Sequence, residues 1–89
     1  MMKAVVTVVG KDQKGIVAKV SNVLYENDVN ILDMSQTIMQ DMFTMMMLVE
    51  CAQECSIKDI SNQLQNVGEE MGLSIHVQRE KIFSSMHRI

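Results

Sequence analysis

The apolar residues of this chain switch spacing from every second position to every third or fourth and back again, twice over. A period of two belongs to strands and one near 3.6 to helices, so the switching sets the order of elements. Residues 3–9, KAVVTVV, are apolar and β-branched and run into Gly10, which reads as a strand. Over residues 15–27, Ile16, Val20, Val23, Leu24 and Asn27 share one helix face. Asp12, just upstream, is the expected N-cap, and Asn27-Asp28 the stop. Residues 30–39, NILDMSQTIM, and 42–51, MFTMMMLVEC, read as two strands around Gln40-Asp41, a connection short enough for a tight hairpin. Ser56 opens a second helix, with Asp59 three residues on, as in a capping box. Ile57, Ile60, Leu64, Val67 and Met71 form its buried face, and Gly72 is placed to end it. Residues 74–79, SIHVQR, alternate, with Ile75 and Val77 pointing one way and His76 and Gln78 the other.

The order β-α-β-β-α-β predicts a ferredoxin-like α+β sandwich, a four-stranded antiparallel sheet with two helices on one face. Right-handed crossovers put the first and third strands at its centre. The third strand adds a constraint. Phe43, Met45, Met47 and Val49 form one face, while Met42, Met46 and Leu48 occupy most of the other. A strand apolar on both faces needs cover on both, and two helices supply only one. In the tail, Ile82, Phe83, Met86 and Ile89 fall at helical spacing, so a short amphipathic helix there would suit the open face of its own sheet or a partner's. The domain is thus expected over residues 1–80, with residues 81–89 as a C-terminal amphipathic tail. A chain of 89 residues buries a thin core. With one sheet face open, that predicts a homodimer.

Composition narrows the function. The net charge is −3 and no segment concentrates lysine or arginine, so the basic footprint of a nucleic-acid binder is missing. Aromatics are 3% of the chain, too few for the stacking platforms of an RNA-reading sheet. The apolar run AVVTVVG after Met1-Met2-Lys3 is too short for a signal segment or a membrane span, so a soluble cytoplasmic protein without membrane partners is expected. Cys51 and Cys55 are too few for a disulfide framework and read as reduced thiols. As zinc ligands they would need His76 and His87 to converge on them, and the first loop, GKDQKG, lacks the paired cysteines of metal-carrier domains. No metal or cofactor is expected. Ten methionines, five of them between Met39 and Met47, suit packing at a core or dimer face better than a copper array. Neither histidine is placed beside a nucleophile, and Glu50, Glu54, Glu69 and Glu70 read as solvated, so no enzyme activity is expected.

The first loop is the candidate site. It runs G-K-D-Q-K-G-I, without the Lys-Ser/Thr after the second glycine that a phosphate loop needs and without the third glycine of a dinucleotide loop. What remains is a tight loop feeding a helix N-terminus, whose amides suit a carboxylate. Gly15 lets backbone approach a guest, Asp12 suits an ammonium group, and across the sheet from this loop Asn30 opens the second strand and offers a donor and an acceptor. A free amino acid would match this set. A plain helix cap and turn accounts for the same residues equally well.

The stretch VVGKDQKGIVAKVSNVLYENDVNILDMSQT, residues 8–37, resembles the opening of an ACT domain in its loop of form D-x-x-G-[IV]-[VL], its amphipathic helix and its V-N-I at the second strand. The resemblance covers about residues 3–80. With FTMMMLVE and the tail IFSSMHRI, the whole chain is similar to the small bacterial stand-alone ACT proteins and to one half of the glycine cleavage operon repressor. The resemblance implies an effector amino acid at a dimer interface, between the first loop of one domain and the second strand of its neighbour. Carried onto this chain, Gly10, Asp12, Gly15 and Ile16 fall in that loop and Asn30 and Ile31 on that strand. Glycine and serine are the first candidates. Some serine-sensing members have histidine where this chain has Gly10, and many have proline where it has Lys14, which leaves the effector open. Any regulatory output is expected to pass through an unknown protein target. Two readings stand: a ligand-sensing regulatory dimer, and a structural interaction module without a ligand.

Overall fold

Spacing and turn chemistry produce β1 (Met2–Lys11), α1 (Ile16–Glu26), β2 (Asn30–Met39), β3 (Met42–Cys51), α2 (Ile57–Met71) and β4 (Leu73–Arg79). The computed structural model describes residues 2–52 and 55–80. Ile82, Phe83, Met86, His87 and Ile89 of the tail, and Glu54, lie outside the described residues. The four strands form one antiparallel sheet in the order β2-β3-β1-β4, so the first and third strands are central, as the crossover rule requires. This is the ferredoxin-like α+β fold.

Local chemistry explains the boundaries. Met39 pairs with Met42 across Gln40-Asp41, and Gln40 takes a positive φ of 57° that a tight hairpin demands. The Asp59 amide donates to Ser56 Oγ at 3.2 Å, capping α2. Gly72, at φ 71°, ends α2 in the left-handed region and turns the chain straight into β4. At the end of α1, Asp28 takes φ 57° and the Val29 amide donates to Leu24 O at 2.9 Å.

The core lies between the sheet and the helices. Val6, Val8, Met45 and Met47 from the central strands meet Val20, Leu24 and Leu64, all with essentially no exposure. Met45 and Met47 fill this layer as flexible thioethers do in irregular cores. On α2 the fully buried line is Ile60, Leu64 and Gly68, while Ile57, Val67 and Met71 pack at its margin.

Three expectations are corrected. β1 runs on to Lys11, so Gly10 lies inside the strand, paired with Phe43 and Leu73, instead of ending it. A Cβ there would come within 2.5 Å of Leu73 Cδ2 and 3.3 Å of Gly72 O, so the glycine serves the close approach of the α2–β4 turn. Asp12 does not cap α1. The helix starts only at Ile16, with Gly15 at φ 89° in the cap position and no side-chain cap bond. A capping side chain reaches amides two or three residues ahead, and Asp12 is four short of the first helical residue. Finally, Cys51 and Cys55 are joined as a disulfide, not free thiols, their Cα atoms 6.3 Å apart. The Cys55 amide donates to Ala52 O at 3.0 Å.

Candidate ligand site at the first loop

The loop between β1 and α1 is held from two sides. Its Asp12 amide donates to Asp41 O in the β2–β3 hairpin at 2.8 Å, and Gln13 Nε2 donates to Met71 O at the end of α2 at 2.9 Å. Gln13 also reaches back to Lys11 O at 3.2 Å. The loop is thus a fixed platform beside the hairpin. At Gly15 the space around an imagined Cβ is open to 4 Å, so only the positive φ selects glycine there. Beyond it, α1 begins without a side chain over its first amides, which leaves donors and the positive end of the helix dipole facing outward. Asp12 is exposed in the loop that precedes them, whereas Ile16 is buried and anchors the helix start in the core. Lys11, Met39, Gln40, Asp41 and Met42 line a depression of about 290 Å³ at this end of the sheet.

Asn30 and Ile31 lie elsewhere. Asn30 pairs with Glu50 and Ile31 with Val49, whereas the loop leaves the sheet where Lys11 pairs with Met42. From Met42 to Glu50 the strand runs eight residues, roughly 27 Å at 3.4 Å each. Within one chain, the loop and the start of β2 therefore occupy opposite ends of the sheet. The sequence reading that set Asn30 across the sheet from the loop fails for a single copy. Asn30 is exposed on an edge strand, and Ile31 is half-buried against the core.

Other candidates stay apart. His76 is exposed on β4, its Nε2 3.1 Å from Ser74 Oγ. Among the described residues, no three metal-ligating side chains gather at one point. No described helix is long and apolar enough to cross a membrane.

The family model of the ACT domain matches residues 3–78. This chain belongs to the ACT-domain family. Relatives include a UPF0237 protein of Listeria innocua, 49% identical over 99% of this chain and 100% of its own. Among solved structures, an ACT domain protein from Streptococcus pneumoniae superposes with a TM-score of 0.82 at 40% identity, covering 92% of this chain and 93% of that one. A structure described as a "putative glycine cleavage system transcriptional repressor" matches with a TM-score of 0.79 at 26% identity, over 88% of this chain and 45% of that one. ACT domains are regulatory modules that typically bind amino acids.

Proposed function

We propose that this ACT protein is a cytoplasmic amino-acid sensor that works as a homodimer, with each ligand site shared between two copies. The carrying observation is the separation just described. Asp12 and Asn30 sit at opposite ends of one sheet, yet β2 is an edge strand with its ladder groups open on one side. Antiparallel pairing of two β2 edges about a twofold axis at mid-strand puts Asn30 of one copy level with Met39 of the other. Met39 adjoins the hairpin whose Asp41 carbonyl holds the Asp12 amide. The pairing thus brings Asn30 and Ile31 to the loop side of the neighbour, where Gly10, Asp12, Gly15 and Ile16 lie. Helix amides would take the ligand carboxylate and Asp12 the ammonium, with Asn30 bridging from across the interface. The likeness to a repressor of the glycine cleavage system supports glycine and serine as first ligands, and a protein target as the receiver of the signal.

The test is a melting screen with millimolar amino acids. Ligand at about 100 times its dissociation constant stabilises by roughly 2.7 kcal/mol, and each kcal/mol moves the midpoint by about 4–8 °C. Asp12→Ala and Asn30→Ala should each abolish the shift. An equal mixture of the two variants should regain about a quarter of the parent's binding capacity, because half the dimers are mixed and each carries one intact site. Absence of any ligand shift, or failure of the mixture to recover, refutes the shared site.

A second reading, an interaction module without ligand, draws on the β2 edge itself. Ile38 is 57% and Met39 70% exposed, apolar surface that serves strand pairing whether or not a ligand binds. It predicts a dimer whose melting point no amino acid moves.

A further inference from the structure

The sheet face turned away from the helices is apolar at its centre. Val5 and Val9 on β1 lie beside Leu48, Met46 and Met42 on β3 across the registers Val5–Leu48, Thr7–Met46 and Lys11–Met42. Met46 is 37% exposed, a large apolar side chain at the middle of a central strand. Val5 retains 8% exposure although it points away from both helices and stands outside the core cluster. Between β1 and β2 this face carries a depression of about 250 Å³, lined among others by Val5, Asp33, Ser35, Met46 and Leu48.

The chain leaves the sheet next to that depression. β4 ends at Arg79, paired with Ala4, one level from the row Gln78–Val5–Leu48–Asp33. The backbone turns helical at Glu80, the last described residue. Residues 81–89, KIFSSMHRI, follow from there. As a helix, nine residues span roughly 13.5 Å. The distance from β4 to β2 is three strand spacings, roughly 14 Å. Ile82, Phe83, Met86 and Ile89 fall on one side of such a helix, and Lys81, Ser84, Ser85, His87 and Arg88 on the remainder. A helix crossing from β4 toward β2 carries Arg88 to the end of the face where Asp33 stands, next to the cross-strand pair Lys3–Glu50, so length matches and Asp33 supplies an opposite charge.

We propose that residues 81–89 dock as a short amphipathic helix across the open face of their own sheet, with Phe83 and Met86 over Val5, Met46 and Leu48. The segment then forms the second layer that the two-sided apolar character of β3 demands. It leaves the β2 edge free for the pairing proposed above.

The test uses the full chain with ¹³C-labelled methionine methyl groups, the Met46 signal being assigned from Met46→Leu. Loss of the ring current in Phe83→Ala should displace the Met46 methyl signal while those of Met45 and Met47, on the helix face, stay in place. Deletion of residues 81–89 spares the core, whose residues run from Ala4 to Ile75. It should displace the same signal and raise its broadening by an aqueous paramagnetic probe several-fold. If neither change moves the Met46 signal, the docking is refuted. Mixing labelled deletion variant with unlabelled full-length protein separates the two sheets available to the tail. An unchanged Met46 signal supports docking in the same chain, whereas return to its parent position shows docking on a second copy and overturns the proposal.

Discussion

Gly68 offers the sharpest test of how α2 meets the sheet. In an exposed helix interior, glycine to alanine stabilises by up to about 1 kcal/mol, because alanine loses less backbone freedom on folding. Here the sign should reverse. A Cβ at Gly68 would lie 2.7 Å from the Leu73 carbonyl oxygen and 3.5 Å from Ile75 Cγ1. Ordinary contact begins at 3.4 Å, so α2 and β4 must part by about 0.7 Å. The obstructing atom is backbone and cannot rotate away. Leu73 directly follows the Gly72 cap and is already paired with Gly10, which fixes it from both sides. Overpacking of a tight core costs about 1–3 kcal/mol. Set against the propensity gain, Gly68→Ala should destabilise by up to about 2 kcal/mol and lower the melting point by as much as roughly 16 °C. Thermal and urea denaturation followed by circular dichroism measure both quantities. Asn62→Ala, exposed on the same helix, is the control and should raise the midpoint slightly or leave it. A Gly68→Ala protein more stable than its parent, as at an exposed helix position, would show that α2 does not press on β4 as described.

Ser56→Ala removes the acceptor for the Asp59 amide and should cost about 1 kcal/mol in urea denaturation, whereas Ser56→Asp should keep most of it. Gly15→Ala meets no atom within 4 Å but must hold φ 89°, so it should cost about 1 kcal/mol; Gly15→Asn should cost less in the same assay. Sedimentation at micromolar concentration should give twice the 10.1 kDa chain mass, and Ile38→Lys on the exposed edge of β2 should return it to the single-chain value without lowering the melting point of the monomer. A parent protein that sediments as a monomer sinks the shared-site reading with it.

The features legible in the sequence are those set by neighbours a few positions away. Alternation across 42–51 picked out Phe43, Met45, Met47 and Val49 as the buried side of β3, because side chains of a strand must point to opposite faces. Ser56, Gly72 and the Gln40-Asp41 turn marked their boundaries for the same reason: capping and hairpin chemistry act within three or four residues. The order of elements then left few topologies, and the strand order β2-β3-β1-β4 followed from crossover handedness. The first loop was legible as a place but not as a geometry. Asp12 reads as a cap because capping chemistry is local, whereas its amide is taken by Asp41, which only the folded hairpin brings near. Gly10 reads as a strand end, yet it and Gly68 are glycine because Leu73, distant in sequence from Gly10, runs against their backbones. The sequence placed Asn30 opposite the loop, and register placed it at the far end of the sheet. Such facts depend on where separate segments meet in space, and no local spacing encodes a distance across strands whose pairing is decided by the packing of the whole core.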